Sequence, residues 1–339
     1  ASALFASVEH ALLVDEVWQL ARDLGAQRWL LGPLTAAAMP ATGWAQAPEV
    51  QAAFCIDVRS EPLRRALEAR CPGLQTLGVA GFFGLPLAYT PPGGTQARPQ
   101  LPGLLAPTLR AVETLDAKGT AALAHARQRQ GAVAAPWHVA SHSPGAAYAY
   151  VEAVGVGYLA PLARWLWPGA GTRARDDLHG VPVRYRPHCR PALQGLSLEE
   201  RVALAQRVLQ GMGLVESFAP LVMLVGHGSQ SHNNAQAAAL ECGACGGQSG
   251  EVNARVLARL LNDPAVREGL RVRGLAIPPQ TSFLAALHNT TTDEVEVFDL
   301  VQQADHARIR WEQFAPHWQA AAHQVRQERA PRLSISPQD

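Results

Sequence analysis

The sequence predicts an α/β protein whose core is a mostly parallel sheet flanked by helices. Three observations carry that prediction. Ala52-Ala53-Phe54-Cys55-Ile56-Asp57-Val58 is a short apolar run, followed by a helical stretch and a second strand-like run from Thr76 to Phe83, which makes a strand, helix, strand unit. Leu221 to Val225 is continuously apolar, as expected of a parallel strand buried on both faces. Helical and strand-like segments then keep alternating as far as Phe298.

Taken in order, residues 7 to 39 carry helically spaced apolar positions, for example Val14, Val17, Trp18 and Ala21, and end at Pro40 and Gly43. Region 1–49 is therefore expected to be a helical lead-in. After the first strand, Ser60 is placed to cap a helix with Pro62 in its first turn, and Pro72-Gly73 stops it. Residues 50–90 form the first half of the α/β core. Gly84 to about Pro107 is rich in proline and glycine and reads as a surface excursion or an insertion. Two helical stretches, around 109 to 130 and 145 to 167, and an irregular Arg- and Pro-rich segment complete an insertion over 91–195.

The second half of the core, 196–300, opens with the capping box Ser197-Leu198-Glu199-Glu200. Leu198, Val202, Ala205, Val208, Leu209 and Met212 mark one face of the helix it starts, and Gly213 closes it. The strand at Leu221 delivers Gly226-His227-Gly228-Ser229 at its carboxyl end, where ligands sit in parallel α/β sheets. Val252 to Leu261 reads as a helix, and Thr281 to Leu287 and Glu294 to Phe298 as strands. Region 301–339 is expected to hold a long polar-faced helix over 302 to 327 and a frayed tail from Ala330. The sequence contains no internal repeat and no dinucleotide or P-loop glycine pattern.

Composition excludes several classes. The 339 residues are 48% hydrophobic and 17% charged, enough to bury a sizeable core and unlike a disordered chain. Lys and Arg number 29 against 28 Asp and Glu, so no single-sign field argues for nucleic acid or an anionic lipid surface. Lys118 is the one lysine among those cations, which reads as a GC-rich coding bias. No stretch approaches the roughly 18 apolar residues of a spanning helix. Glu9, Asp15 and Glu16 interrupt the early apolar residues, so no signal peptide is read there. Five scattered cysteines fit a reducing compartment better than a disulfide framework.

Side chains alternate along a strand, so Cys55, Asp57 and Arg59 are expected on one side, with Phe54, Ile56 and Val58 turned into the core. His227 emerges at the same sheet end, and Cys242 lies in the glycine-rich Glu241-Cys242-Gly243-Ala244-Cys245-Gly246-Gly247. Two thiolates, an imidazole and a carboxylate suit Zn²⁺. Each residue also has a plainer reading. A strand cysteine is usually a small hydrophobe, Asp57 and Arg59 make a structural ion pair on their own, and His227 reads also as a satisfied core histidine or an ordinary loop residue. A single CxxC, Cys242 and Cys245, is a weak zinc signal because structural zinc modules typically use two. Cys71 is read as inert, and His188, Cys189 and His288 as reserve ligands.

The order Cys-x-Asp-x-Arg followed by a distant His and Cys resembles the metal site of β-class carbonic anhydrases, although there the His and second Cys stand much closer in sequence than His227 and Cys242. A fuller set of blocks resembles the DabA family, the large subunit of a bacterial inorganic carbon uptake complex. The blocks are Phe54-Cys55-Ile56-Asp57-Val58-Arg59-Ser60-Glu61, Gly78-Val79-Ala80-Gly81-Phe82-Phe83-Gly84, Gly226-His227-Gly228-Ser229, Asn233-Asn234, Cys242 to Gly247, Asn253-Ala254-Arg255-Val256-Leu257 and His288-Asn289-Thr290. Two positions depart from the family's pattern. Ala235 stands where a proline commonly follows the Asn pair, and Glu241 where an Asp commonly precedes the Cys.

The resemblance implies a β-carbonic-anhydrase-like core with zinc on Cys55, Asp57, His227 and Cys242, and an Arg59 that competes with the metal for Asp57. It implies hydration of CO₂ to bicarbonate by a zinc-hydroxide mechanism gated by the Asp57 and Arg59 pair, in which both residues act in catalysis. It also implies a membrane-embedded DabB-type cation-translocating partner and a peripheral place on the cytoplasmic side of the inner membrane. Family members are considerably longer and the chain starts at Ala1, so a fragment of a longer subunit is expected. A structural-zinc adaptor and a freestanding carbonic anhydrase or zinc hydrolase are the competing readings.

Overall fold

The computed structural model describes residues 2–36, 48–114 except 93 and 95, scattered positions between 121 and 163, and 189–336 except 232, 233 and 235. Two compact units are present, Ala1–Gln46 and Ala47–Asp339. In the first, α1 (Ser2–Ala36) is a single helix with Pro33 near its end, and its described side chains, Trp18 and Trp29 among them, are exposed. The predicted stop at Pro40 and Gly43 lies outside the described residues. No helix among the described residues is long and apolar enough to cross a membrane.

The second unit is built on a five-stranded sheet in the order β2 (Leu74–Val79), β1 (Val50–Cys55), β7 (Leu221–Gly228), β8 (Ser282–Asn289), β9 (Val295–Val297). The first four strands are parallel, and only β9 runs antiparallel, at one edge. This is the mostly parallel, helix-flanked sheet that the sequence predicts. Its alternation feeds two cores. Ala53, Val222, Leu224, Phe283 and Ala285 face one side, packed with α4 (Leu198–Gly211), α6 (Glu251–Asn262) and α7 (Pro264–Val272). Ala52, Phe54, Met223, Val225, Leu284 and Ala286 face the other, under α2 (Glu61–Arg70) and α8 (Asp305–Arg329). Trp318 of α8 stacks on Phe54 with ring centroids 5.5 Å apart.

The capping box at Ser197 forms as read: Ser197 Oγ accepts from the Glu200 backbone N–H, and Glu200 Oε2 accepts from that of Ser197 at 2.8 Å. Four other expectations are corrected. The stretch from Leu109 begins as strand β5 (Leu109–Thr114), not as a helix; Leu109, Val112 and Leu115 mimic a helical spacing, but pairing with β3 (Leu87–Thr90) decides. The segment from Gly84 is not a surface excursion, because Leu85, Leu87, Tyr89 and Leu101 are buried. It supplies β3 and β4 (Arg98–Gln100) to a second sheet, ordered β4-β3-β5-β6 with β6 at Arg190–Gln194. Ile56 and Val58 are exposed and not in the core, since β1 ends at Cys55 and the chain enters a turn. Ser60 stands at the N-cap of α2, but its hydroxyl makes no capping bond.

Helix α7, with Asp263 capping Ala265 and Val266, follows α6 directly and was not anticipated. In the middle of the chain α3 (Ala147–Val154) falls within the expected helical stretch 145 to 167. The Arg- and Pro-rich segment before Cys189 lies outside the described residues.

Candidate metal centre

The site lies where the carboxyl ends of β1 and β7 meet. Cys55 is the last residue of β1, and His227 the penultimate residue of β7. Cys242 comes from the loop after the short helix α5 (Ala237–Leu240), at the start of a 3₁₀ turn over Gly243–Cys245. That loop is folded onto Cys242, whose backbone N–H donates to Gln248 and whose carbonyl accepts from Cys245 and Gly247. Gly246 and Gly247 take φ of 72° and 74°, the left-handed values that a tight return requires and that favour glycine.

Among the described residues, one nitrogen of His227 and the two sulfurs of Cys55 and Cys242 all lie within 4.8 Å of one another. The sulfurs are 3.7 Å apart, and all three residues are buried. Gly81 shows that the space around the sulfurs is reserved. A Cβ added there would stand 2.5 Å from Cys242 Sγ and 2.6 Å from Cys55 Sγ. Gly226 serves in a similar way, for its missing Cβ lets the backbone of Gly250, at the start of α6, cross directly over β7 beside His227. Gly250 N–H then donates to the His227 carbonyl at 2.9 Å.

The electrostatics fit a cation. The Cys242 thiol is pushed up to about 12, first by its hydrogen bond with Cys245 and also by burial, against a bond from Cys55 that lowers it. Its hydrogen bond with Cys242 and then burial raise Cys55 further still. Two such thiols hold their protons in the free chain, and a divalent ion between them reverses that preference. His227 Nδ1 is buried and has no hydrogen-bond partner, although the polar atoms of buried side chains are normally satisfied. Two soft sulfurs and an imidazole missing one partner therefore fit a metal ion, and the Cys-His-Cys set is of the kind that zinc takes.

Asp57 does not join the three. Arg59 holds it in a fork, Nε donating to Oδ1 and Nη2 to Oδ2, each at 2.8 Å, with the Arg59 backbone N–H on Oδ1 at 2.9 Å. Burial pushes its carboxyl up, but the Arg59 bonds and nearby His227 outweigh that and hold it at about 2. Oδ2 nonetheless lies 3.2 Å from His227 Nε2, so the carboxylate borders the cluster while remaining on the arginine.

Among the described residues, the remaining cysteines and histidines stand apart from the cluster. Cys245 is buried next to Cys242 but outside the cluster of three. Cys71 is half-buried at the C-cap of α2, and Cys189 is buried with its carbonyl on Arg255. His188, Asn233 and Ala235 lie outside the described residues. His288, a reserve ligand in the sequence reading, is no ligand here, since both its nitrogens are bonded elsewhere.

Two supporting residues carried no sequence signal of their own. Asn253 is fully buried and donates Nδ2 to the carbonyls of Phe82, Leu85 and Gln100, tying the loop that contains Gly81 to α6. Glu241 accepts from Ser229 N–H and Oγ, fastening the Cys242 loop to the end of β7. Their partners are far away in sequence, and only the blocks in which they sit pointed to them.

The family model described as "Probable inorganic carbon transporter subunit DabA" matches residues 4–339. The chain is 60% identical over 328 residues to a protein of that name from Paracidovorax citrulli, covering 96% of this chain and 39% of that one. It is 55% identical over 348 residues to the one from Methylovorus glucosotrophus, covering 100% and 41%. For Vibrio cholerae the identity is 42% over 333 residues. The chain thus spans about two fifths of the length of these curated relatives. No solved structure matches it. The match runs unbroken from α1 through the Cys55, His227 and Cys242 cluster to the end of α8, and the chain belongs to the DabA family.

Proposed function

We propose that this chain is the zinc-bearing part of an inorganic carbon uptake subunit that hydrates CO₂ to bicarbonate. The observation that carries the reading is the three-ligand cluster with Asp57 at its edge, held by Arg59 and not among the three. A structural zinc site is closed by four protein ligands, whereas a catalytic one keeps a position open. Zinc, when bound, would lower the pKa of a coordinated water toward about 7, making hydroxide available for attack on CO₂ near neutral pH.

The residues of the chain do the rest. Cys55, Cys242 and His227 hold the ion, with Gly81 leaving room around the sulfurs. Arg59 holds the Asp57 carboxylate in its fork, and releasing that fork would free Asp57 to serve as a further ligand and close the site. The pair is thus a gate. Asp57 Oδ2, next to His227 Nε2, stays ionised near neutral pH and would accept a hydrogen bond from an incoming water, not its proton. The relatives are named as transporter subunits, which supports a partner. In this reading the partner is a membrane-embedded, cation-translocating DabB-type subunit, and the chain sits peripherally on the cytoplasmic side of the inner membrane.

A closed structural staple is less well supported, because its fourth ligand, Asp57, is engaged by Arg59. The test measures metal content and CO₂ hydration by the purified chain, with and without membranes carrying the partner. One zinc per chain, with hydration that depends on the membranes, is expected. Turnover without membranes would instead establish a freestanding anhydrase, and full zinc occupancy after Cys55→Ala together with His227→Ala would remove the ligand assignment.

A further inference from the structure

His288 of β8 is in register with His227 of β7, but it belongs to a different buried network. Its Nδ1 lies 3.0 Å from Ser60 Oγ and its Nε2 lies 3.2 Å from Asp293 Oδ1. Arg329, near the end of α8, donates Nη2 to the same carboxylate at 3.0 Å. A carboxylate paired with a guanidinium only accepts, so Nε2 carries the imidazole proton and Nδ1 accepts the Ser60 hydroxyl. The order Ser, His, Asp is that of a hydrolase triad. Burial excludes that role, because Ser60, His288 and Asp293 are 1%, 0% and 0% exposed and no substrate reaches the hydroxyl.

Two local costs are accepted to build this network. At the N-cap of α2 the Ser60 hydroxyl would ordinarily satisfy a free backbone N–H, yet it makes no capping bond and is given to His288. Asp293 holds φ at 58°, a conformation disfavoured for any residue with a side chain, and thereby presents its carboxylate to His288 and Arg329.

The network touches both sides of the metal cluster. Ser60 follows Arg59 directly, and its N–H donates to the Asp57 carbonyl at 2.9 Å, closing the turn that carries Asp57 and Arg59. On the other side, Thr290 donates N–H and Oγ1 to the carbonyl of Gly228, at 2.9 and 3.1 Å, immediately after His227. Arg326 and Arg329 of α8 grip the turn between, on the carbonyls of Thr292 and Thr290.

We infer that Ser60, His288, Asp293 and Arg329 form a positioning relay, through which α8 fixes the Asp57–Arg59 turn against the Cys55, His227 and Cys242 cluster. None of the four is a ligand in the reading above, on which the relay rests; they determine where the Asp57 carboxylate sits.

The test uses the full chain loaded with Co²⁺, read by its visible absorption, with thiocyanate as the probe of an open coordination position. Ser60→Ala and His288→Gln should each still bind one Co²⁺ with the thiolate charge-transfer band intact. Both should shift the ligand-field bands and change thiocyanate affinity by about tenfold or more, the scale on which outer partners tune metal sites. Arg329→Gln, at a part-exposed position at the outer end of the network, should move both readouts in the same direction by less. The Ser60→Ala, His288→Gln double variant should go no further than the larger single change, as expected of one relay. Parental bands and thiocyanate affinity in cobalt-loaded Ser60→Ala would overturn the relay alone. No Co²⁺ bound by the parent chain would overturn the metal-centre reading and the relay with it.

Discussion

His227 and His288 stand side by side on adjacent parallel strands, both buried, and their surroundings are opposite. Both nitrogens of His288 are bonded, to Ser60 and to a carboxylate that is itself held by Arg329. His227 leaves Nδ1 with no partner and faces two protonated thiols and the rim of a carboxylate already taken by Arg59. The difference teaches that burial does not separate a structural histidine from a ligand. Accounting for each nitrogen does: one ring is satisfied by the fold, and the other awaits something the fold does not contain.

The sharpest way to break this comparison is to delete each ring in turn. In the metal-free chain His288→Ala should cost about 3–5 kcal/mol, the scale of breaking a buried charged network by removing one member. His227→Ala should cost no more than roughly 1–2 kcal/mol there, because part of the lost packing is offset by removing an orphaned polar atom. Metal affinity should show the reverse order, falling more than about a hundredfold for His227→Ala and far less for His288→Ala. Denaturant unfolding and a competitive zinc titration check both halves. Equal stability losses would mean that the two histidines are alike.

Proton release on metal binding sharpens the same contrast. With Cys242 at about 12 and Cys55 higher, both thiols are protonated near neutrality in the free chain, and both must deprotonate to bind. The logarithm of apparent zinc affinity should therefore rise with pH, by about two per pH unit between roughly pH 7 and 8. Competition with a chelator across that range measures the slope. A slope near one would remove one of the thiolates from the site.

A third change tests the reserved space. Gly81→Ala puts a methyl group within 2.6 Å of both sulfurs, which are carried by a strand end and a bridged loop and have little freedom to retreat. A loss of about 2–3 kcal/mol in stability is expected from such overpacking, together with weakened zinc binding. Unchanged zinc affinity would show that the sulfurs move apart easily.

What was legible in the sequence follows the range of the forces involved. Strands β1 and β7 announce themselves because each is a short run buried on both faces, and the chemistry at their ends could be placed by alternation alone. Alternation then failed at Ile56 and Val58, one and three residues past Cys55, since nothing local marks where a strand stops pairing. The second sheet was hidden because its strands are three to six residues long, two of them contain a proline, and pairing between distant segments defines them. Ser60 looked like a helix cap because capping is a local rule. That its hydroxyl is spent on a histidine 228 positions away is information that only the folded chain contains.

The smallest expected effect concerns Asp57, which stands between the two histidines' territories, turned toward His227 and followed by the serine that binds His288. Its folded pKa of about 2 lies below the ordinary value of about 3.9 for an unfolded chain. The sign follows: the stability contributed by its ionised form is fully present above about pH 4 and is lost as pH falls through about 2. Because Asp57 and Arg59 are 17% and 30% exposed, the contribution is roughly 1–2 kcal/mol, less than a fully buried pair would give. In metal-free protein, Asp57→Asn should therefore lower stability by that amount at pH 6 and leave it close to parental at pH 2. Urea unfolding at the two pH values measures it. A loss that stayed constant with pH would mean that Asp57 contributes shape and not charge, and the Asp57–Arg59 fork would then be no gate.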